Sequence, residues 1–160
     1  MKSRVLGVDP GSAATGWALV TAEGNRFRVE DSGVVRTPSG ERAQRLAVLF
    51  KEFSTIVERL KPECAAVESG FFGKNPKSGL SLAESRGVLL AALGLQNISV
   101  HSYSPAEVKS AIVGNGRADK QQIVYMVVRL LALSKNPPQD AADAMAIAMT
   151  HLQLRKWPGR

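Results

Sequence analysis

The 160 residues predict an α/β protein built on a mixed five-stranded sheet, its first three strands antiparallel, with helices on both faces. Three observations carry this reading. The first third of the chain is written in short apolar runs separated by turns. From residue 41 the apolar period lengthens to three and four, the spacing of one helical face. Two more strand-like runs then alternate with helical stretches whose capping residues are plain.

Residues 4–9 form a nearly unbroken apolar run, as expected of a strand covered on both faces. After the turn Pro10-Gly11-Ser12 come a second strand over 15–21 and a third over 27–35, joined by the hairpin-type turn Glu23-Gly24-Asn25. Leu46, Leu49, Phe50, Phe53, Ile56, Val57 and Leu60 share one face of a helix over 41–60, which Lys61-Pro62 ends. Cys64 to Glu68 is a short buried strand, and 69–78 a polar loop carrying Phe71 and Phe72. A helix over 79–93, stopped near Gly94, precedes a fifth strand over 98–103. Ser104-Pro105-Ala106-Glu107 is a capping box with proline at the first helical position. A glycine-rich loop over 114–118 leads to a second cap, Asp119 with Gln122, opening a helix to about residue 133. Asn136-Pro137-Pro138-Gln139 breaks the chain before a last helix over 140–154. No repeat or linker divides the chain, so 1–160 reads as one domain.

Hydrophobic residues make up 44% of the chain and charged residues 22%, the proportions of a soluble globule. No apolar run reaches the length of a bilayer span, and the opening MKSRVLGVDPGS has no signal-peptide core. The single cysteine, Cys64, reads as a small core residue in a reducing compartment, so a cytoplasmic protein with no membrane partner is expected. Lysine and arginine number 21 against 14 acids, a formal charge of +7. That balance favours a polyanionic partner, because neutralising phosphates releases counterions. Solubility alone also accounts for such a charge.

The informative acids stand where the apolar pattern excludes them. Asp9 ends Val-Leu-Gly-Val, Glu68 ends Cys-Ala-Ala-Val, and Asp143 interrupts an alanine- and methionine-rich helix that is apolar almost all round. A buried carboxylate must be paired, protonated or metal-bound. The nearest bases in the chain to Asp143 are Lys135 and Arg155, which makes a hard cation the simplest partner. Asp140 and Asp143, three apart on a helix, project from one face. Gly11, Ala141, Ala142 and Ala144 beside the acids are small enough to leave room for ions and substrate. Oxygen-only ligands favour Mg²⁺, with Mn²⁺ substituting, and two such ions can drive phosphodiester hydrolysis. Taken singly each acid also fits a local role: Asp9 in a turn, Asp140 as an N-cap, Asp143 at the helix dipole, Glu68 facing solvent.

Together with their surroundings these residues resemble a RuvC-type Holliday-junction resolvase, a branch of the ribonuclease H/retroviral integrase superfamily. The resemblance is carried by Gly-Val-Asp9-Pro-Gly-Ser with Thr15-Gly16, by Ala-Val-Glu68 with Phe71 and Lys74-Asn75, and by Ser85-Arg86-Gly87. It continues in Tyr103-Ser-Pro-Ala-Glu-Val-Lys109, Val113-Gly-Asn-Gly-Arg-Ala-Asp-Lys120-Gln, and Asn136-Pro-Pro-Gln-Asp140-Ala-Ala-Asp143. After the glutamate the family often has a glutamine and another apolar or small residue before the phenylalanine, where this chain has Ser69-Gly70-Phe71-Phe72. The resemblance implies a ribonuclease H-like fold and a homodimer that nicks two opposed strands of a four-way DNA junction, in recombination and repair. It implies Mg²⁺ held by Asp9, Glu68, Asp140 and Asp143, with Lys109 and Lys120 near the scissile phosphate. A branch-migration helicase complex of the RuvA and RuvB type is the implied partner.

The expected DNA contacts are Gly11, Ser12, Lys74, Lys77, Arg86, Lys109, Arg117 and Lys120, with Phe71 and Phe72 as candidate wedges at the crossover. The 79–93 helix, with Gly87, Ala91 and Ala92, is a candidate dimer face. His101 and His151, far apart in sequence, are expected to be structural. The Asp-Pro-Gly-Ser turn is shared with ATPases of the actin and sugar-kinase type, but 160 residues leave no room for their second lobe. The acid pattern alone also fits a ribonuclease H acting on hybrids. A non-catalytic junction binder would not need the intact set of four acids.

Overall fold

The structure is a computed structural model that describes residues 2–70 and 75–155. Its elements follow the expected order: β1 (Lys2–Asp9), β2 (Ala14–Glu23), β3 (Arg26–Arg36), α1 (Arg42–Leu60), β4 (Cys64–Glu68), α2 (Pro76–Leu95), β5 (Ser99–Tyr103), α3 (Pro105–Val113), α4 (Lys120–Leu130) and α5 (Gln139–Leu154). The strands lie in the order β3-β2-β1-β4-β5. The β1–β2 and β2–β3 pairs are antiparallel, while β1–β4 and β4–β5 are parallel.

The sheet separates two cores. On one face Leu6, Val8, Trp17, Leu19 and Val67 pack against Leu49, Phe53 and Val57 of α1 and Leu89 and Leu93 of α2. On the other, Val5, Ala18, Val20, Cys64 and Ala66 meet α5, which α3 and α4 flank through Val108, Ile112, Ile123 and Val127. β1 and β2 are covered on both faces, which explains their continuous apolar runs. The edge strand β3 is only partly buried and carries charges, a pattern that discourages pairing with another chain.

α5 is the central helix. Eleven of its residues are buried, from Ala141 to Leu152 with Asp143 the exception in that run. It sits very close to the sheet because β1 and β2 present glycines beneath it. A β-carbon on Gly7 would lie 1.9 Å from the Ala144 carbonyl oxygen, and one on Gly16 would lie 1.9 Å from that of Asp140. Ala141, Ala142 and Ala144 are 1%, 0% and 0% exposed. Their small size therefore serves helix–sheet packing and leaves no room for ions or substrate, contrary to the sequence-based expectation.

Three boundaries also differ. α2 begins at Pro76 instead of 79, because Asn75 caps it by accepting from the Lys77 amide and proline occupies the first turn. It runs past Gly94 to Leu95, and the chain reverses at Asn97, whose φ of 57° supplies the left-handed stop. α4 ends at Leu130, with Ala132 left-handed at φ 50° two residues on. Both predicted capping boxes are present, Ser104 with Glu107 and Asp119 with Gln122.

Candidate active site

Parallel pairing of β1 with β4, from Val5↔Cys64 to Val8↔Val67, carries both strands to one edge of the sheet. Asp9 ends the first and Glu68 the second. Strand alternation turns both toward the face that α5 covers, as it does Gly7 and Ala66 before them. α5 begins over the same edge, with Asp140 in its first turn and Asp143 three residues on. Asp140 is not the N-cap: Pro138 holds that position and makes no side-chain cap.

Carboxylate oxygens of Asp9, Asp140 and Asp143 all lie within 4.8 Å of one another, and each residue is half-buried. Glu68 joins Asp9 and Asp143 in lining a cleft of about 230 Å³, together with Lys109 of α3 and Lys120 of α4. Pro105, Val108, Ile123 and Ala146 complete its walls. The cations facing the acids thus come from distant elements, and neither Lys135 nor Arg155 lines this cleft.

The electrostatics are those of crowded acids. Burial, then the charges of Glu68, Asp143 and Asp140, push the Asp9 carboxyl up to about 8, with Lys120 opposing. Burial and Asp143 raise Glu68, against the pull of Lys109 and Lys120. Burial raises Asp143 as well, while the Gln139 amide, Lys120 and a hydrogen bond with Asp9 hold it down. With the Asp9 carboxyl pushed up to about 8, the metal-free cluster keeps a proton at neutral pH that a cation would displace. The donors are all oxygen and negatively charged, a set that fits a hard divalent ion.

Other expected site residues fall around this cleft. Gly11 is half-buried and Ser12 exposed in the turn after Asp9; a side chain at Gly11 would strike the Ala14 carbonyl at 1.9 Å. Arg86 donates from Nε to the Glu68 carbonyl at 3.1 Å and from a terminal nitrogen to Ser102 Oγ at 2.9 Å. Its guanidinium therefore holds the end of β4. Lys77 and Arg117 are exposed. Phe71, Phe72 and Lys74 lie outside the described residues. Of the candidate dimer face, Gly87 and Ala91 are exposed but Ala92 is buried in the α1–α2 core.

Sequence reasoning missed Gln139, whose Nε2 donates to Asp143 Oδ1 at 2.9 Å. It stands next to the acids in Pro-Pro-Gln-Asp, a signal that was present. His101 and His151 do meet, with ring centroids 4.3 Å apart and Cys64 beside them, although nothing in the linear sequence relates them.

Comparison with known proteins places this geometry. The family model for "Crossover junction endodeoxyribonuclease RuvC" matches residues 5–151. A curated protein of that name from Chloroflexus aggregans is 46% identical over 150 residues, covering 92% of this chain and 92% of its own length. Another from Moorella thermoacetica is 42% identical over 158 residues, covering 98% and 95%. The structure of Thermus thermophilus RuvC in complex with Holliday junction substrate superposes with a TM-score of 0.88 at 31% identity, covering 94% of this chain and 93% of that one. The chain belongs to the RuvC family of crossover junction endodeoxyribonucleases.

Proposed function

We propose that the chain resolves four-way DNA junctions by symmetric nicks in two opposed strands, with the Asp9, Glu68, Asp140 and Asp143 cleft as the cutting site. The observation that carries this reading is the convergence of acid oxygens from β1 and α5 within 4.8 Å, in a cleft edged by Glu68 and two lysines. The four acids would hold Mg²⁺, or Mn²⁺ in its place, as two ions per chain. When bound, such ions activate water and stabilise the leaving oxygen of a phosphodiester.

The chain's own residues do the rest. Gln139 orients Asp143 through the 2.9 Å hydrogen bond, and Arg86 fixes the strand end that bears Glu68. Lys109 and Lys120 supply positive charge facing the acids, where charge develops on a phosphate oxygen. Gly11, Ser12, Lys77 and Arg117 are candidates for backbone contacts, with Phe71, Phe72 and Lys74 in the segment after Glu68. The net charge of +7 supports binding to a polyanion.

The described residues carry one such cleft, so paired cuts call for two chains, and a two-fold homodimer matches a two-fold substrate. Family membership supports, as part of this reading, a branch-migration helicase partner of the RuvA and RuvB type and a cytoplasmic site of action. No helix among the described residues is long and apolar enough to cross a membrane.

The test is incubation with an immobile four-way junction free of ribonucleotides, beside a linear duplex of the same sequence, with Mg²⁺ or with EDTA. Paired symmetric nicks in the junction alone, absent in EDTA, are expected. Equal cutting of the duplex, or none of either DNA with Mg²⁺ or Mn²⁺, would overturn the reading.

A further inference from the structure

Toward the other end of α5, three side chains from three elements converge. Cys64 opens β4, His101 stands at the middle of β5, and His151 lies in the last turn of α5. One thiol sulfur and one nitrogen from each ring all fall within 4.8 Å of one another. Cys64 Sγ is 3.4 Å from His151 Nε2. Zinc bond lengths in a tetrahedron separate sulfur from nitrogen by about 3.5 Å, so this pair already stands at bridging distance. The other ring nitrogen, His151 Nδ1, is 2.7 Å from the Tyr103 hydroxyl. Metal-bound histidines are usually held by just such an oxygen partner, which fixes the ring and its tautomer.

We propose that Cys64, His101 and His151 form a second metal site, one that takes a borderline transition ion such as Zn²⁺ and is separate from the oxygen-only acid cleft. Sulfur with two imidazole nitrogens selects such ions over Mg²⁺. Burial first, then His101 and Arg155, hold the His151 imidazole down to about 4, so it is neutral and free to ligate at neutral pH. Burial raises the Cys64 thiol, so the metal-free chain holds it protonated and the forming metal–sulfur bond must displace that proton to solvent. Glu63, paired with Arg155 at 3.9 Å, balances that arginine beside the site. His101 is exposed, which leaves the fourth position open to water.

Two of the three elements that would be joined, β4 and α5, carry Glu68, Asp140 and Asp143. β4 runs from Cys64 to Glu68, about 13 Å. α5 separates Asp143 from His151 by about 12 Å. An ion at the far ends clamps helix to strand without touching the DNA cleft.

The test uses the full chain carrying Asp9→Asn and Asp143→Asn, so that metal held by the acids is not counted, with and without His101→Ala or Cys64→Ser. Each protein is loaded with Zn²⁺, freed of excess by gel filtration and assayed by atomic emission; Co²⁺ replaces Zn²⁺ for absorption spectra. The expected result is roughly one retained zinc per chain, with a thiolate-to-cobalt charge-transfer band. Zn²⁺ should raise the melting temperature where Mg²⁺ does not. His101→Ala, at an exposed position, should keep the fold and weaken zinc binding about tenfold or more. Cys64→Ser should abolish the charge-transfer band. Failure of the acid-depleted chain to retain zinc, a cobalt spectrum lacking the thiolate band, or zinc retention indifferent to His101→Ala would each overturn the proposal.

Discussion

The backbone carbonyl of Asp140 occupies the space in which a side chain at Gly16 would begin: a β-carbon there would lie 1.9 Å from the carbonyl oxygen. The start of α5, and with it Asp140 and Asp143, is therefore set by a missing side chain on β2. Gly16→Ala must push the first turn of the helix off the sheet. We expect a loss of about 1–3 kcal/mol in stability, the usual cost of overpacking. Displacing an acid by an ångström should lower cleavage by about 100-fold or more. Denaturant unfolding and single-turnover cleavage check this; wild-type cleavage would show that α5 tolerates the shift.

Asp143→Asn should separate stability from activity. The Asp143 carboxyl is raised mainly by burial, so removing its charge relieves a penalty in the metal-free protein. Thermal unfolding in EDTA should show a variant as stable as wild type or more so, while junction cleavage is lost. A large destabilisation would assign Asp143 a structural role.

Metal-free stability should depend on pH in a defined window. Asp9 titrates near 8 in the folded chain against an ordinary 3.8, so the folded state holds a proton that the unfolded state has released. Stability from this group is present at low pH and falls as pH rises toward 8. His151 acts oppositely: held near 4 against 6.5, it takes up its proton more readily when unfolded, and stability falls as pH drops from 6.5 toward 4. Between about pH 6.5 and 8 only the Asp9 effect remains of these two. The melting temperature in EDTA should fall across that interval, and Mg²⁺ or Asp9→Asn should flatten the slope. A flat wild-type profile in EDTA would contradict the burial of an acid cluster.

Lys120 faces three acids, and Lys109 pulls on Glu68. Lys120→Ala should lower the single-turnover rate by roughly 100–1,000-fold, in the range seen for removal of a transition-state donor. Junction affinity should change by less than about tenfold, since one phosphate contact at most is lost. A variant whose defect is entirely in binding would move Lys120 from chemistry to DNA docking.

The element order and the acid cluster were legible because both depend on patterns local in sequence. Apolar runs end at Asp9 and Glu68, and a three-residue spacing puts Asp140 and Asp143 on one helical face. The two capping boxes lie within four residues each, which is why α3 and α4 start where expected. Features made by the meeting of distant segments were not legible. Gly7 and Gly16 matter only because α5 lies on them, and the alanines of α5, read as space for substrate, are filled by that same contact. Lys109 and Lys120 reach the acids through the packing of α3 and α4, so only the family resemblance pointed to them, while nearness in sequence to Asp143 offered Lys135 and Arg155. Cys64, His101 and His151 are drawn together by β4, β5 and α5, with no spacing that announces them.

The most direct test of a single cutting cleft built from four acids is single-turnover cleavage of a four-way junction by Asp9→Asn, Glu68→Gln, Asp140→Asn and Asp143→Asn. Junction binding is measured for each. Every variant should bind the junction as the wild type does and cut it at least about 1,000-fold more slowly, as expected when a metal ligand is removed from a hydrolytic site. A variant that binds and cuts at the wild-type rate would remove its residue from the site and contradict the assignment of all four acids to the chemistry.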